Sequence, residues 1–307
     1  MAEYNVLKGW DFGAITHAYS ARDTMLYALG IGFGHDPLDR DQLRFLLEDG
    51  LQVVPSMAAV LGGPGSWWRD PRVGVDWPQV LHAQQDVEVY TPLEPAATVI
   101  GLNRVTALCD RGPERGAVAA LERDIRDAAT GKLLARAKRI EILRGDGGFS
   151  SRGGISDAEP ERLPPMTCTE RKPDVAVELP SLPQAALIYR LSGDYNPLHA
   201  DPQVAARAGF PRPILHGLAS FGIAAHAVLR GICGYAPERL RRLAVRFTAP
   251  VYPGESLRFE LWLENDQRAR FRAHVKERSV TVLDRGIAEL SLTHARQDGT
   301  KQIYRSA

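Results

Sequence analysis

Two stretches of this chain repeat each other, and the repetition constrains the fold more than any other feature. Residues 87–101 read VEVYTPLEPAATVIG and residues 245–259 read VRFTAPVYPGESLRF, setting Pro92 against Pro250 and Pro95 against Pro253 at the same offset. Each is continued by runs of β-branched and alternating apolar residues. In the first half these are ATVIGLNRVTALCD and GAVAALERDIRDAATGKLLARAKRIEIL; in the second, SLRFELWLEND and ARFRAHVKERSVTVLDRGIAELSL. A period near two, broken by turn residues at 127–131 and 284–286, predicts antiparallel strands in a meander. The Ala and Leu content of the first set also suits helix, so composition alone misleads there. Ahead of the second set, residues 214–230 (ILHGLASFGIAAHAVLR) have no internal proline and are apolar nearly all round, as in a helix wrapped by other structure. The counterpart, residues 51–61, is shorter and carries Pro55 near its start. The expected class is therefore α+β, with one buried helix and one curled antiparallel sheet, occurring twice.

Residues 144–173 are rich in Gly, Pro, Ser and charge and lack apolar periodicity, so they read as a linker or long surface loop. The predicted division is a first unit at 1–150, a linker at 151–180 and a second unit at 181–307. With 38 basic and 37 acidic residues the net charge is +1, which supplies no nucleic-acid or membrane surface. No window approaches the roughly 18 apolar residues of a membrane span. Cys109, Cys168 and Cys233 are scattered, without metal spacing or a disulfide framework, which suits a reducing compartment. Residues 1–10 lack a signal-peptide core, and the last four residues, Tyr304 to Ala307, are not a Ser-Lys-Leu ending. A cytoplasmic location is expected.

The chemistry concentrates in residues 189–199, YRLSGDYNPLH. Asp194, Asn196 and His199 sit there between Gly193 and Pro197, a setting for a tight polar loop. A carboxylate with an imidazole can hold a water and exchange protons near neutral pH. Gly217 falls in the first turn of the apolar helix, where N–H groups lack intrahelical acceptors, and its missing side chain lets a substrate oxygen approach. Taken alone, Asp194 and Asn196 equally suit a turn and cap, and His199 a structural histidine. His216, beside Gly217, has no required chemical task and suits a packing or supporting role.

The pattern Y-x-L-S-G-D-x-N-P-L-H, followed by His216-Gly217 and by RFTAPVYPGE at 246–255, resembles the hydratase 2 signature of MaoC-like proteins. In that family of type 2 enoyl-CoA hydratases, hotdog folds wrap a sheet around a central helix. The first half resembles the degenerate N-terminal hotdog of the family's eukaryotic-type members through residues 28–50, 53–62, 81–95 and 147–154. The resemblance implies two hotdog domains, the first shaping the acyl pocket and the second catalytic. It implies that Asp194 and His199 hold the water that adds to C3 of a trans-2-enoyl-CoA, giving a (3R)-3-hydroxyacyl-CoA. It further implies that Asn196 orients the water or the pair, and that the Gly217 N–H binds the thioester oxygen. Substrate contacts carry over to His82, Ala83, Arg111, Tyr195, Pro197, Leu198 and Phe247. Ala83 departs from the usual glycine, which is tolerable for a backbone contact, and Arg111 from lysine, which keeps a positive charge for a phosphate.

Bland readings stand beside these. His82 also suits an interface, Arg111 a solvated turn, and Phe247 plain core. Trp67 and Trp68 suit either a loop over the pocket or a dimer surface, and His35 an exposed loop. Where the second half has GDYNPLH, the first has GFGHDPLD at 32–39 without a final histidine, so one active site per chain is expected. Acyl-CoA is the expected substrate, with no metal or redox cofactor and a homodimer as the family expectation. The competing functions are thioester hydrolysis and non-catalytic acyl-CoA binding.

Overall fold

The alternating runs form ten strands, and a computed structural model describes residues 3–292 of the chain. The strands are β1 (Ala14–Tyr19), β2 (Val80–Val89), β3 (Ala97–Asp110), β4 (Ala117–Asp127), β5 (Leu133–Leu143), β6 (Val175–Pro180), β7 (Leu240–Phe247), β8 (Ser256–Asn265), β9 (Arg268–Val275) and β10 (Val280–Leu290). They make one antiparallel sheet in the order β1-β3-β4-β5-β2-β7-β10-β9-β8-β6. Numbered within its own half, each set of five runs 1-3-4-5-2 from the outer edge to the centre. The duplication seen in the prolines is thus a duplication of topology. Residues 117–143, where Ala and Leu mimic helix, are strands β4 and β5, because one face of each must pack on the core.

The halves join where β2 pairs with β7, from Gln84↔Arg246 to Glu88↔Arg242. Arg242 clamps this seam, donating to both oxygens of Asp86 at 3.0 and 2.8 Å and to Glu289 at 2.8 Å.

The predicted helix appears as Gly217–Val228, continued by a π turn at Leu229–Cys233. Every side chain from Ala219 to Val228 is buried, which is why the segment shows no polar face. In the first half, residues 51–61 yield only a five-residue 3-10 turn, Pro55–Ala59. Gly62 stops it in the left-handed region, φ +63, and rests on β3 so closely that a Cβ on Gly101 would lie 2.0 Å from the Gly62 carbonyl oxygen. Only glycine at both positions permits that approach. The helix Ala21–Gly30 fills part of the space, with the Tyr27 hydroxyl bonded to Ser56 at 2.9 Å. The two hotdog units therefore differ inside: one holds a full central helix and the other a short turn.

The expected linker at 151–180 needs correction at its end. Residues Val175–Pro180 are β6, paired with β8 from Val175↔Leu261 to Pro180↔Ser256, because their alternating burial fits an edge strand. The preceding stretch is a strap tied across the sheet. Asp157 accepts from the Leu108 N–H at 2.8 Å and the Tyr4 hydroxyl at 2.7 Å. Leu163 is buried against Ala244 and Ile287, and its N–H donates to Gln84 Oε1 at 3.1 Å. Trp67 and Trp68 are buried; Trp67 packs on Phe12 at 4.8 Å between ring centres, and neither offers a free surface. His35 is exposed as expected. Among the described residues no helix is long and apolar enough to cross a membrane. The C-terminal residues Tyr304 to Ala307 lie outside the described residues.

The Gly62–Gly101 approach is testable. Gly101→Ala is expected to lower unfolding stability by about 1–3 kcal/mol, the usual cost of overpacking a close contact. An unchanged denaturant midpoint would show that the turn can retreat from the sheet.

Candidate active site

The loop that bears the polar residues is built by its own side chains. Gly193, at φ +110, ends the 3-10 turn Arg190–Ser192 in a conformation that a β-carbon disfavours. Asp194 Oδ1 then accepts the Asn196 N–H at 3.1 Å, and Asn196 Oδ1 accepts the Leu198 N–H at 3.2 Å, capping the turn Pro197–His199. The turn-and-cap reading is thus correct for the backbone. It does not displace the chemical one, because a second Asp194 oxygen and the Asn196 amide nitrogen take no part in these bonds.

His199 is buried, and its Nδ1 lies 2.9 Å from the Ile214 carbonyl oxygen. A carbonyl only accepts, so Nδ1 carries the proton and Nε2 presents a lone pair. Burial pushes the imidazolium pKa down, with the Asp194 charge pulling the other way. His216, 1 % exposed, donates from Nε2 to the Asp194 carbonyl at 3.1 Å and stacks on His199 with ring centres 3.8 Å apart. Its pKa is driven down to about 3, by burial first and by His199 second. His216 is therefore the latch of the loop, a role that its place beside Gly217 hinted at without defining.

One ligand atom each from Asp194, His199 and His216 falls within 4.8 Å of the others, so these three are the donors a metal ion would find. The stacking works against that use. The rings are tilted by only 29° at 3.8 Å, whereas an ion about 2.0–2.1 Å from both nitrogens would lie near both ring planes at once.

Gly217 is the first residue of the central helix, where the N–H has no intrahelical acceptor. A Cβ placed there would meet the Phe247 ring at 3.6 Å. Phe247, at the end of β7, meets the His82 ring edge-on at 5.0 Å. The β2–β5 register shifts between His82↔Glu141 and Gln84↔Ile140, which leaves Ala83 as the extra residue of a β-bulge. His82 is held neutral, its pKa pushed down to about 3 by burial first and by Arg139 second. Asp194, His199, His216, Gly217, Phe247, His82 and Ala83 thus gather at one end of the seam.

The remaining predicted contacts lie further out. Tyr195 is exposed beneath the Arg190 guanidinium, 5.0 Å from its ring centre, while Pro197 and Leu198 are half-buried in the loop turn. Arg111 sits on the β3–β4 turn, its N–H bonded to the Gly116 carbonyl, three strands from β2. Burial raises the Cys168 and Cys233 thiols, the latter to about 12, so neither is poised as a nucleophile.

Residues 165–285 match the MaoC like domain, and residues 17–145 match the MFE-2 hydratase 2 N-terminal domain. A protein of Arabidopsis thaliana named peroxisomal enoyl-CoA hydratase 2 is 38% identical, covering 87% of this chain and 89% of its own. The chain belongs to the MaoC-like hydratase 2 family. A second relative, 3-hydroxyacyl-thioester dehydratase Y of Mycobacterium tuberculosis, is 35% identical over 90% of this chain and 96% of its own. The crystal structure of a MaoC-like dehydratase from Phytophthora capsici superposes with a TM-score of 0.77 at 31% identity, covering 91% of this chain and 95% of that one.

The His199 imidazole can accept a proton only when it is neutral. Its folded pKa lies below the ordinary 6.5, so activity should hold through neutrality and fall as pH drops through a midpoint under 6.5. A kcat/KM profile with its acid limb above 6.5 would contradict this placement of the imidazole.

Proposed function

We propose that the chain catalyses the reversible addition of water to a trans-2-enoyl-CoA, yielding a (3R)-3-hydroxyacyl-CoA. The observation that carries the reading is the meeting of a carboxylate, an imidazole lone pair and a helix N-terminal N–H at one end of the seam. A water between Asp194 and the His199 Nε2 hydrogen-bonds to both. Its oxygen bonds to C3 as His199 accepts one of its protons, and negative charge moves onto the thioester oxygen. The Gly217 N–H, backed by the positive end of the central helix, stabilises that charge. A proton then reaches C2 from the same loop, so hydroxide and proton both come from water and the balance closes. Asn196 supports the water through the amide nitrogen that its cap leaves free.

The chemistry so described needs neither metal nor redox cofactor. Two further elements of the reading are a homodimer, on family grounds, and residence in the cytoplasm, on the cysteine pattern. The Arabidopsis relative carries a peroxisomal name, so a tagged chain followed by microscopy or fractionation decides the location.

Asp194→Asn and His199→Gln are each expected to cut hydration of crotonyl-CoA by at least about 100-fold, the usual range for a positioned acid or base, with the melting curve preserved. Loss of enoyl absorbance without release of free thiol identifies hydration. Thiol release would make the chain a thioesterase, and full activity in either variant would remove the mechanism.

A further inference from the structure

On the core-facing side of the first-half sheet lies a charge that the hydration scheme does not use. Arg123 of β4 is 8% exposed and forms no ion pair among the described residues. One Nη donates to the carbonyls of Ala58 and Ala59, while Nε is buried without a partner. Arg139 of β5 projects from the same face, since Leu121↔Arg139 and Arg123↔Ala137 are paired positions. Arg139, its side chain 24% exposed, lies 3.3 Å from Glu141, which also accepts the Trp68 indole N–H at 2.5 Å. Arg139 thus has a carboxylate beside it, whereas buried Arg123 has, among the described residues, only the Ala58 and Ala59 carbonyls as partners. A buried charge normally has a counter-ion, so an anion is missing here.

The position of this excess charge relates it to the reaction. Arg123, Arg139, Gln85 and Ala59 line one small hollow together with Leu218, the residue that follows Gly217 in the central helix. The hollow has a volume of about 20 Å³, which accommodates a single small polar group and no alkyl tail. Arg139 stands level with Val245 through Gln85, two strands from β7, so it lies on the order of 10 Å across the sheet from the strand that flanks Gly217.

We propose that Arg123, assisted by Arg139, receives a carboxylate at the far end of the acyl chain, so that the preferred substrate is a short enoyl-CoA with a terminal carboxylate. This inference rests on the hydratase reading and refines its substrate class. Arg123 also ties down the Pro55–Ala59 turn, so its charge and its structural bonds must be separated by the choice of measurement.

The first measurement uses the unaltered protein. Initial hydration rates are compared for three enoyl-CoA thioesters of equal chain length, ending in a carboxylate, its methyl ester and a methyl group. The carboxylate is expected to show a kcat/KM about 10- to 100-fold above the other two, in line with a charge-assisted hydrogen bond. Arg123→Met should collapse that ratio towards one, and Arg123→Lys, which keeps the charge if the turn loosens, should retain part of it. The ratio is read, so a general loss of folded enzyme does not imitate the effect. Faster hydration of the methyl-ended thioester, or an undiminished ratio in Arg123→Met, overturns the inference while leaving the hydratase reading intact. Failure to hydrate any of the three overturns the hydratase reading itself.

Discussion

The pairing of β2 with β7 is the constraint on which the rest of the molecule depends. Each half ends its topology with a strand whose open edge would otherwise bind another chain. Joining those edges makes one sheet of ten strands and brings two different features to one end of the join. The bulge at Ala83 lies on one side, and the end of β7, with Phe247 against Gly217, on the other. The Asp86–Arg242–Glu289 cluster holds the register, and register decides the site. A slip of one residue would turn every side chain of β2 to the opposite face, carrying His82 away from Phe247.

Duplication gave two similar frames that were filled differently. In the second half a long apolar helix occupies the sheet's concavity and offers its N-terminus to the loop at 193–199. In the first half Pro55 and Gly62 limit the corresponding segment to one short turn, and the loop at 32–39 is used structurally. Asp39 there accepts from the N–H groups of Asp41 and Gln42 at the start of Arg40–Leu43, a capping task rather than a catalytic one. With no full helix to cover it, the inner face of β4 and β5 can carry Arg123, Arg139 and Glu141, which a packed apolar helix would exclude.

Much of this was legible before any coordinates. Paired prolines revealed the repeat, a period of two revealed the strands, and the eleven residues ending at His199 carried the resemblance to the family. Such features are local, and local spacing survives in a sequence. What escaped was set by contacts distant along the chain. The strand Val175–Pro180 hid inside a Gly- and Pro-rich stretch because its evidence is its pairing with β8. His216 had no visible task because its partners, the Asp194 carbonyl and the His199 ring, come from another loop. Arg123 looked like one more charged residue on an alternating strand, since only the return of residues 58–63 across the sheet buries it.

Burial governs both ends of the substrate path, with opposite consequences. At the reacting end it neutralises imidazoles: His82, His199 and His216 all have their pKa values driven down chiefly by desolvation. In the proposed reaction the Asp194 carboxylate is then the charge that would order a water there, and the His199 lone pair stays available across neutral pH. Deeper in the first half burial cannot neutralise so easily. Desolvation brings Arg123 down to about 9, which still leaves it protonated at neutral pH. A guanidinium accepts no proton bond and cannot shed its charge under these conditions, so the protein must either supply an anion or wait for a ligand that brings one. The same physical effect therefore makes one end of the path a base and leaves the other a fixed cation.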